Sequence, residues 1–333
     1  MGFNQPHALP REQKVFVSRQ TVYAITTDVR DAFIQPVTAG SMRALSCKIG
    51  PAKHPRAMRD DASATRSYTE RFTNGVKEVP WSIDTYAYGG GAAGTPPDYH
   101  DLIYAAMGSY TNTPSTSDVY ALSDTQGAQG AVSIHGEMSA IVARGAVSAT
   151  VESMKISQSG NEAPHFMFEG EAIDMIHTGY STLNGAINNG DTAIVVQTAD
   201  QNNFQVGSLV IVGTSTGPAS GTQGHLITAK SGPNLTTTAV TGGQSSGAVV
   251  RAYVPTFTTA GSIISVTLGS FVFGGTTVKM TGFEWILKNN LNPHKDTAFQ
   301  TTGDDLTEGR RNVNGSVTLR AKRSELILLG NYW

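Results

Sequence analysis

Residues 278–323, VKMTGFEWILKNNLNPHKDTAFQTTGDDLTEGRRNVNGSVTLRAKR, decide how the chain is read. They predict a long strand, a charged loop from Asp304 to Arg311, and a returning strand. In the return, Val313, Val317 and Leu319 alternate with Asn314, Ser316, Thr318 and Arg320. In the outgoing strand, Phe283, Trp285 and Leu287 share one face, while Met280 and Ile286 occupy the other. A strand apolar on both faces needs cover on both. In a mostly one-layer sheet, the expected second cover is a neighbouring subunit. No residue pattern in this hairpin resembles a reaction centre.

The same period of two runs outward along the chain. Val132, Ile134, Met138 and Ala140 share one face, with Ser133, His135, Glu137 and Ser139 opposite. Ile264, Val266 and Leu268 alternate with Ser265 and Thr267. Such strands build antiparallel sheets with one dry and one wet or partner-facing side. One helix is expected in PPDYHDLIYAAMG, with Asp98 as N-cap, Tyr99, Leu102, Ile103 and Ala106 on one stripe, and Gly108 as terminator.

Two regions interrupt this framework. Residues 43–71 carry seven basic and three acidic residues, net +4, with Gly50, Pro51 and Pro55 breaking any regular strand. A long functional loop is expected there. Residues 182–254 hold only Asp191, Asp200 and Lys230 as formal charges before Arg251, in short apolar runs separated by Gly, Asn and Ser. They read as a small all-β domain inserted into the first, which then comprises 1–181 and 255–333.

Composition bounds the function. Charged residues are 15% of the 333, against roughly 25% in ordinary soluble domains. So sparse a surface charge points to a chain covered by copies of itself. Net charge is −2, so no global basic field holds nucleic acid. Cys47 is the only cysteine, which excludes an intrachain disulfide and a cysteine-based metal site. The first residues lack signal-peptide features, and no apolar run approaches the ~20 residues of a membrane span. Assembly in a cytoplasm is expected.

Chemistry candidates are weak. Gly89-x-Gly91-x-x-Gly94 outlines a dinucleotide fingerprint, but Thr95, Pro96 and Pro97 separate it from its helix. The eight histidines show no metal-ligand spacing, and no nucleophile elbow exists. No enzyme activity, metal or cofactor is expected. The 43–71 segment has too few aromatics to stack bases. Its charge instead complements residues 295–308, net −3. Opposite charges on two loops can steer head-to-tail contacts between copies. The contact residues expected are Arg43, Lys48, Arg56, Arg59, Arg66 and Arg71 against Asp304, Asp305 and Glu308, with Phe283 and Trp285 as the apolar cover.

Three stretches together resemble the tail tube proteins (major tail proteins) of long-tailed, non-contractile bacteriophages. They are VPWSIDTYAYGGGAAGTPPDYHDLIYAAMGS, HFMFEGEAIDM and the opening hairpin through EGRRNVNGSVTL. The insert falls outside that pattern and looks like the small all-β modules spliced into phage virion proteins. The resemblance implies a mainly β, two-sheet sandwich or barrel with one flanking helix. It implies hexameric rings stacked into a hollow tube, with tape-measure, tail-terminator and tail-tip proteins as partners and DNA passing through without specific binding. A channel that passes DNA should be neutral or acidic. Glu137, Glu152 and Glu169 are the lumen candidates, and the 43–71 cations belong between rings. The implied location is the virion, assembled in a bacterial host. Rival readings are a capsid or head-decoration protein, and a carbohydrate-binding or adhesin module.

Overall fold

The computed structural model describes residues 13–20, 33–53, 56–58, 71–73, 77–125, 127–139, 141–215, 224–264, 271–273, 276–278, 280–293 and 306–319. The chain is mainly β, and every strand pairing among these residues is antiparallel.

Two sheets face each other. A five-stranded sheet has the order Asp174–Thr178, Ala143–Ala149, Ala131–Met138, Lys14–Gln20, Ser41–Met42. A six-stranded sheet has the order Asn312–Leu319, Met280–Lys288, Ser153–Ser159, His165–Ala172, Val79–Tyr86, Ser46–Ile49. Alternation along Val79–Tyr86 turns Val79, Trp81 and Ile83 inward and leaves Pro80, Ser82 and Asp84 half-exposed. These inward residues, with Phe168, Met154 and Leu287, meet Val15, Val17, Val132, Ile134 and Ala146 of the facing sheet in one core. Burying each large side chain there contributes about 1.5–3 kcal/mol.

The helix α1 (His100–Met107) closes one end of this core, burying Leu102, Ile103, Ala105 and Ala106. It ends where expected: Gly108 sits at φ 87°, the left-handed conformation that only glycine adopts cheaply, and its N–H bonds Tyr104 O. Its start differs. Asp98 caps nothing, because its carboxylate is taken by Arg43.

Residues 180–252 form a third sheet with its own core. Its order is Tyr180–Thr182, Val249–Ala252, Leu209–Val212, His225–Ser231, Asn234–Thr237, Ala193–Val195. The first and last strands also meet. Leu183 bridges Val196, Asn184 N–H donates to Val195 O at 2.7 Å, and Gln197 N–H to Thr182 O at 3.2 Å. The sheet is thereby a closed barrel around Leu183, Ile194, Phe204, Val210, Ile227, Leu235 and Val250. It is fastened to the five-stranded sheet. Thr178 bridges Phe204, Gly179 N–H donates to Asn203 O at 2.6 Å, and Gln35 Nε2 donates to Gly207 O at 3.0 Å.

Three expectations change. The 43–71 segment is not a plain loop: Ser46–Ile49 is an edge strand, and Arg56–Met58 pairs with Arg71–Thr73. Pro51 falls after the first of these strands rather than inside it. The charged loop from Asp304 is partly strand, since Leu306–Glu308 pairs back on Leu291–Pro293. The long hairpin therefore turns at Asn289 and Asn290 and carries a smaller hairpin at its tip. Finally, the polar face of Ala131–Met138 is not wet. Ser133, His135 and Ser139 are buried. Ser133 Oγ accepts from Gln20 Nε2 and Ile34 N–H, His135 Nε2 meets Ile34 O at 2.8 Å, and the Phe33 ring lies 4.6 Å from the His135 ring. Buried polar groups persist when every partner is supplied, as here.

Candidate assembly surfaces

Among the described residues, the six-stranded sheet is open at both edges. One edge is Ser46–Ile49, four residues long and carrying the exposed Lys48. The other is Asn312–Leu319, twice as long, with residues 312–318 all exposed and no charge or proline in its sequence NVNGSVTL. Such a strand presents unpaired N–H and C=O groups with none of the usual devices against further pairing. The barrel, by contrast, has no free edge among the described residues.

The register groups the side chains on the sheet's solvent face. Lys48, Ser82, Glu169, Ser153 and Lys288 lie in one row across it. Lys155 pairs with Glu284, and His165 Nδ1 lies 3.5 Å from Asp84 Oδ1. This face is of mixed charge. Glu169 and Glu152 are exposed. Glu152 stands at the start of Ser153–Ser159, where its carbonyl accepts Asn289 N–H. The side chain of Glu137 lies outside the described residues.

Two expected contact charges are used inside the subunit. Arg43 Nε donates to Asp98 Oδ2 at 2.7 Å, Nη1 donates to Gly261 O at 2.9 Å, and Nη2 donates to Ala260 O. The guanidinium lies 3.6 Å from the Tyr88 ring centroid. Gly261, at φ 78°, comes so close that a Cβ there would sit 1.7 Å from Gly89 O. This node ties the glycine-rich 89–94 loop to the 258–261 segment. Glu308 Oε1 accepts Gly127 N–H at 2.9 Å, and Arg311 Nη1 donates to Ser123 O at 2.5 Å. Buried Asn289 donates to Ala106 O and Val151 O. The base of the 291–308 hairpin is therefore fixed to the end of α1. Arg56 and Arg71 sit on the short paired strands, with side chains outside the description. Arg59, Arg66, Asp304 and Asp305 lie outside the described residues.

Phe283 and Trp285 are half-buried, and Leu287 is fully buried at the other end of their strand. Met280 and Ile286, on the opposite face, are also half-buried.

The titratable groups serve packing. Burial pushes His135 down to about 4, against its bond to Ile34. Burial also lowers His100, whose Nδ1 lies 2.8 Å from Tyr120 Oη and whose ring meets Tyr110 edge-on at 4.3 Å. Tyr99 is pushed up to about 12 by burial while donating to Tyr88 O. Ser215 Oγ and His225 Nε2 stand 3.0 Å apart, and both are buried. Among the described residues no cluster of three His, Cys, Asp or Glu could hold a metal ion, and no helix is long and apolar enough to cross a membrane.

The Arg43 node and the Asn289 anchor had no sequence signal: their partners lie 55 and up to 218 residues away for Arg43, and 138 and 183 for Asn289. No family model matches the chain, and no curated protein matches it.

Proposed function

We propose that this chain is a structural subunit of a phage tail tube, forming hexameric rings that stack into a conduit for the genome. The observation that carries it is the uncharged, exposed edge Asn312–Leu319 at one side of a sheet whose other side ends in a second open edge. A sheet open at both ends continues into the next copy, and a curved series of such joins closes into a ring. The arms at 56–73 and 291–308 then reach between rings, where Arg59 and Arg66 meet Asp304 and Asp305. The lumen side carries Glu152 and Glu169. Partners are further copies, tape-measure, terminator and tail-tip proteins, with DNA in transit, and the location is the virion.

Sparse surface charge supports self-association on the same terms. The adhesin reading loses ground: of the two aromatics in 182–254, Phe204 is buried in the barrel and Tyr253 half-buried, so neither offers an open stacking platform. Negative-stain microscopy of the purified chain tests the proposal. Rings or tubes with an axial hole support it; closed shells would indicate the capsid reading instead.

A further inference from the structure

The inner face of the six-stranded sheet is not covered along its whole width. The register puts Leu287 beside Val313, Trp285 beside Gly315 and Phe283 beside Val317. Leu287 is fully buried, but Phe283 and Trp285 are half-buried, and Val313 and Val317 remain 46% and 45% exposed. The uncovered strip is two strands wide, far short of the ~800 Å² per partner of a stable subunit interface. It suits one short chain segment.

Such a segment follows directly. After Leu319 come Arg320, Ala321, Lys322 and Arg323, then SELILLGNYW, residues 324–333. Those ten residues carry a single charge, Glu325, and six large apolar or aromatic side chains: Leu326, Ile327, Leu328, Leu329, Tyr332 and Trp333. Leu319 lies level with Met280, so the chain leaves the strand at the Phe283–Val317 end of the strip. Four residues span up to ~14 Å, whereas Val317 is about 7 Å back along the strand. The segment can therefore start at Val317 and run on toward Val313. A short tether also gives it an effective concentration of order mM for its own strip, above that of any second copy.

We propose that residues 324–333 pack on the inner face of their own subunit, over Phe283, Trp285, Val313 and Val317, and complete the sandwich core there. This takes Phe283 and Trp285 out of the subunit interface while leaving the 312–319 edge free. It holds whether or not the chain builds a tube.

The test is a crosslinking scan. Val317→Cys is combined in turn with Leu326→Cys, Ile327→Cys, Leu328→Cys and Leu329→Cys, in a Cys47→Ser background, and oxidised at dilute concentration. At least one pair should form a disulfide within one chain, seen as faster migration without reductant. Ser316→Cys, adjacent in sequence but on the opposite face, should form none. Crosslinks only between chains would assign the strip to a second copy and overturn the proposal, as would equal reactivity of the 316 and 317 series. A measurement needing no substitution runs alongside: amide exchange at residues 326–329 of the unaltered chain should be markedly slowed. Exchange there at the rate of an unstructured peptide would equally overturn it.

Discussion

The barrel of residues 180–252 and the sandwich that carries it are both antiparallel β, yet they dispose of their edges in opposite ways. The barrel joins its first strand to its last through Leu183 and Val196 and keeps a separate core. Among the described residues, the sandwich leaves eight uncharged residues, Asn312–Leu319, unpaired along one side. A closed sheet has satisfied its backbone and gains nothing by meeting another; an open one has not. The contrast teaches where self-association should act, and it assigns that property to the sandwich alone.

Charging the open edge should have the largest effect. The pair Asn314→Lys and Ser316→Lys should abolish assembly, because the cations would face a neighbouring strand. The free subunit should change by less than ~0.5 kcal/mol, since both sites are exposed. Sedimentation gives the first number and thermal unfolding the second. Lysines at Thr228 and Thr236, exposed on the barrel, should alter neither. If the barrel lysines block assembly equally, the contrast between the two regions fails.

Next comes the Arg43 node. Arg43→Met strands the Asp98 carboxylate, 6% exposed, and should cost roughly 3 kcal/mol in chemical denaturation. Arg59→Glu should leave that stability unchanged and weaken ring stacking instead. A pH effect of about the same size follows from His135. Its folded value near 4 lies below the ordinary ~6.5, so the neutral form is favoured by folding. Stability is full above pH 6.5 and falls as pH drops toward 4, by about 3 kcal/mol in all. The window should flatten in His135→Gln; an unchanged acid limb would show that another group sets it. Asn289→Ala should cost about 2 kcal/mol, because Ala106 O and Val151 O lose their donor.

The smallest effect on assembly should come from removing the barrel. Tyr180 pairs with Arg251 and Thr182 with Val249, so the two ends of the insert are adjacent. Replacing 183–253 by a short Gly/Ser linker should leave a folded sandwich that still associates. Collapse of the sandwich on deletion would mean that the contacts through Gln35, Gly179 and Asn203 are indispensable to it.

What was legible in the sequence was what periodicity writes locally. Alternation in 131–138, 280–288 and 312–319 gave strands, the stripe from Tyr99 to Ala106 gave α1, and Gly108 gave its end. The loss of charge across 182–254 marked the barrel region, though its strands begin two residues earlier, at Tyr180. Alternation says nothing about which polar faces are covered by distant parts of the chain. Ser133 and His135 looked wet because their cover, residues 33–36, lies about a hundred positions away in sequence. Arg43 looked like a contact cation between copies for the same reason. Its partners arrive from 98, 260 and 261, and nothing at those positions announces an ion pair or a carbonyl cage.

The most direct measurement is sedimentation velocity of the purified full chain at high micromolar concentration across a salt series, with negative-stain images of each fraction. An open-edged sandwich of this kind should give discrete ring-sized species and stacked tubes, with stacking weakened first as salt screens the charged arms. A single monomeric boundary at every concentration and salt level would contradict it.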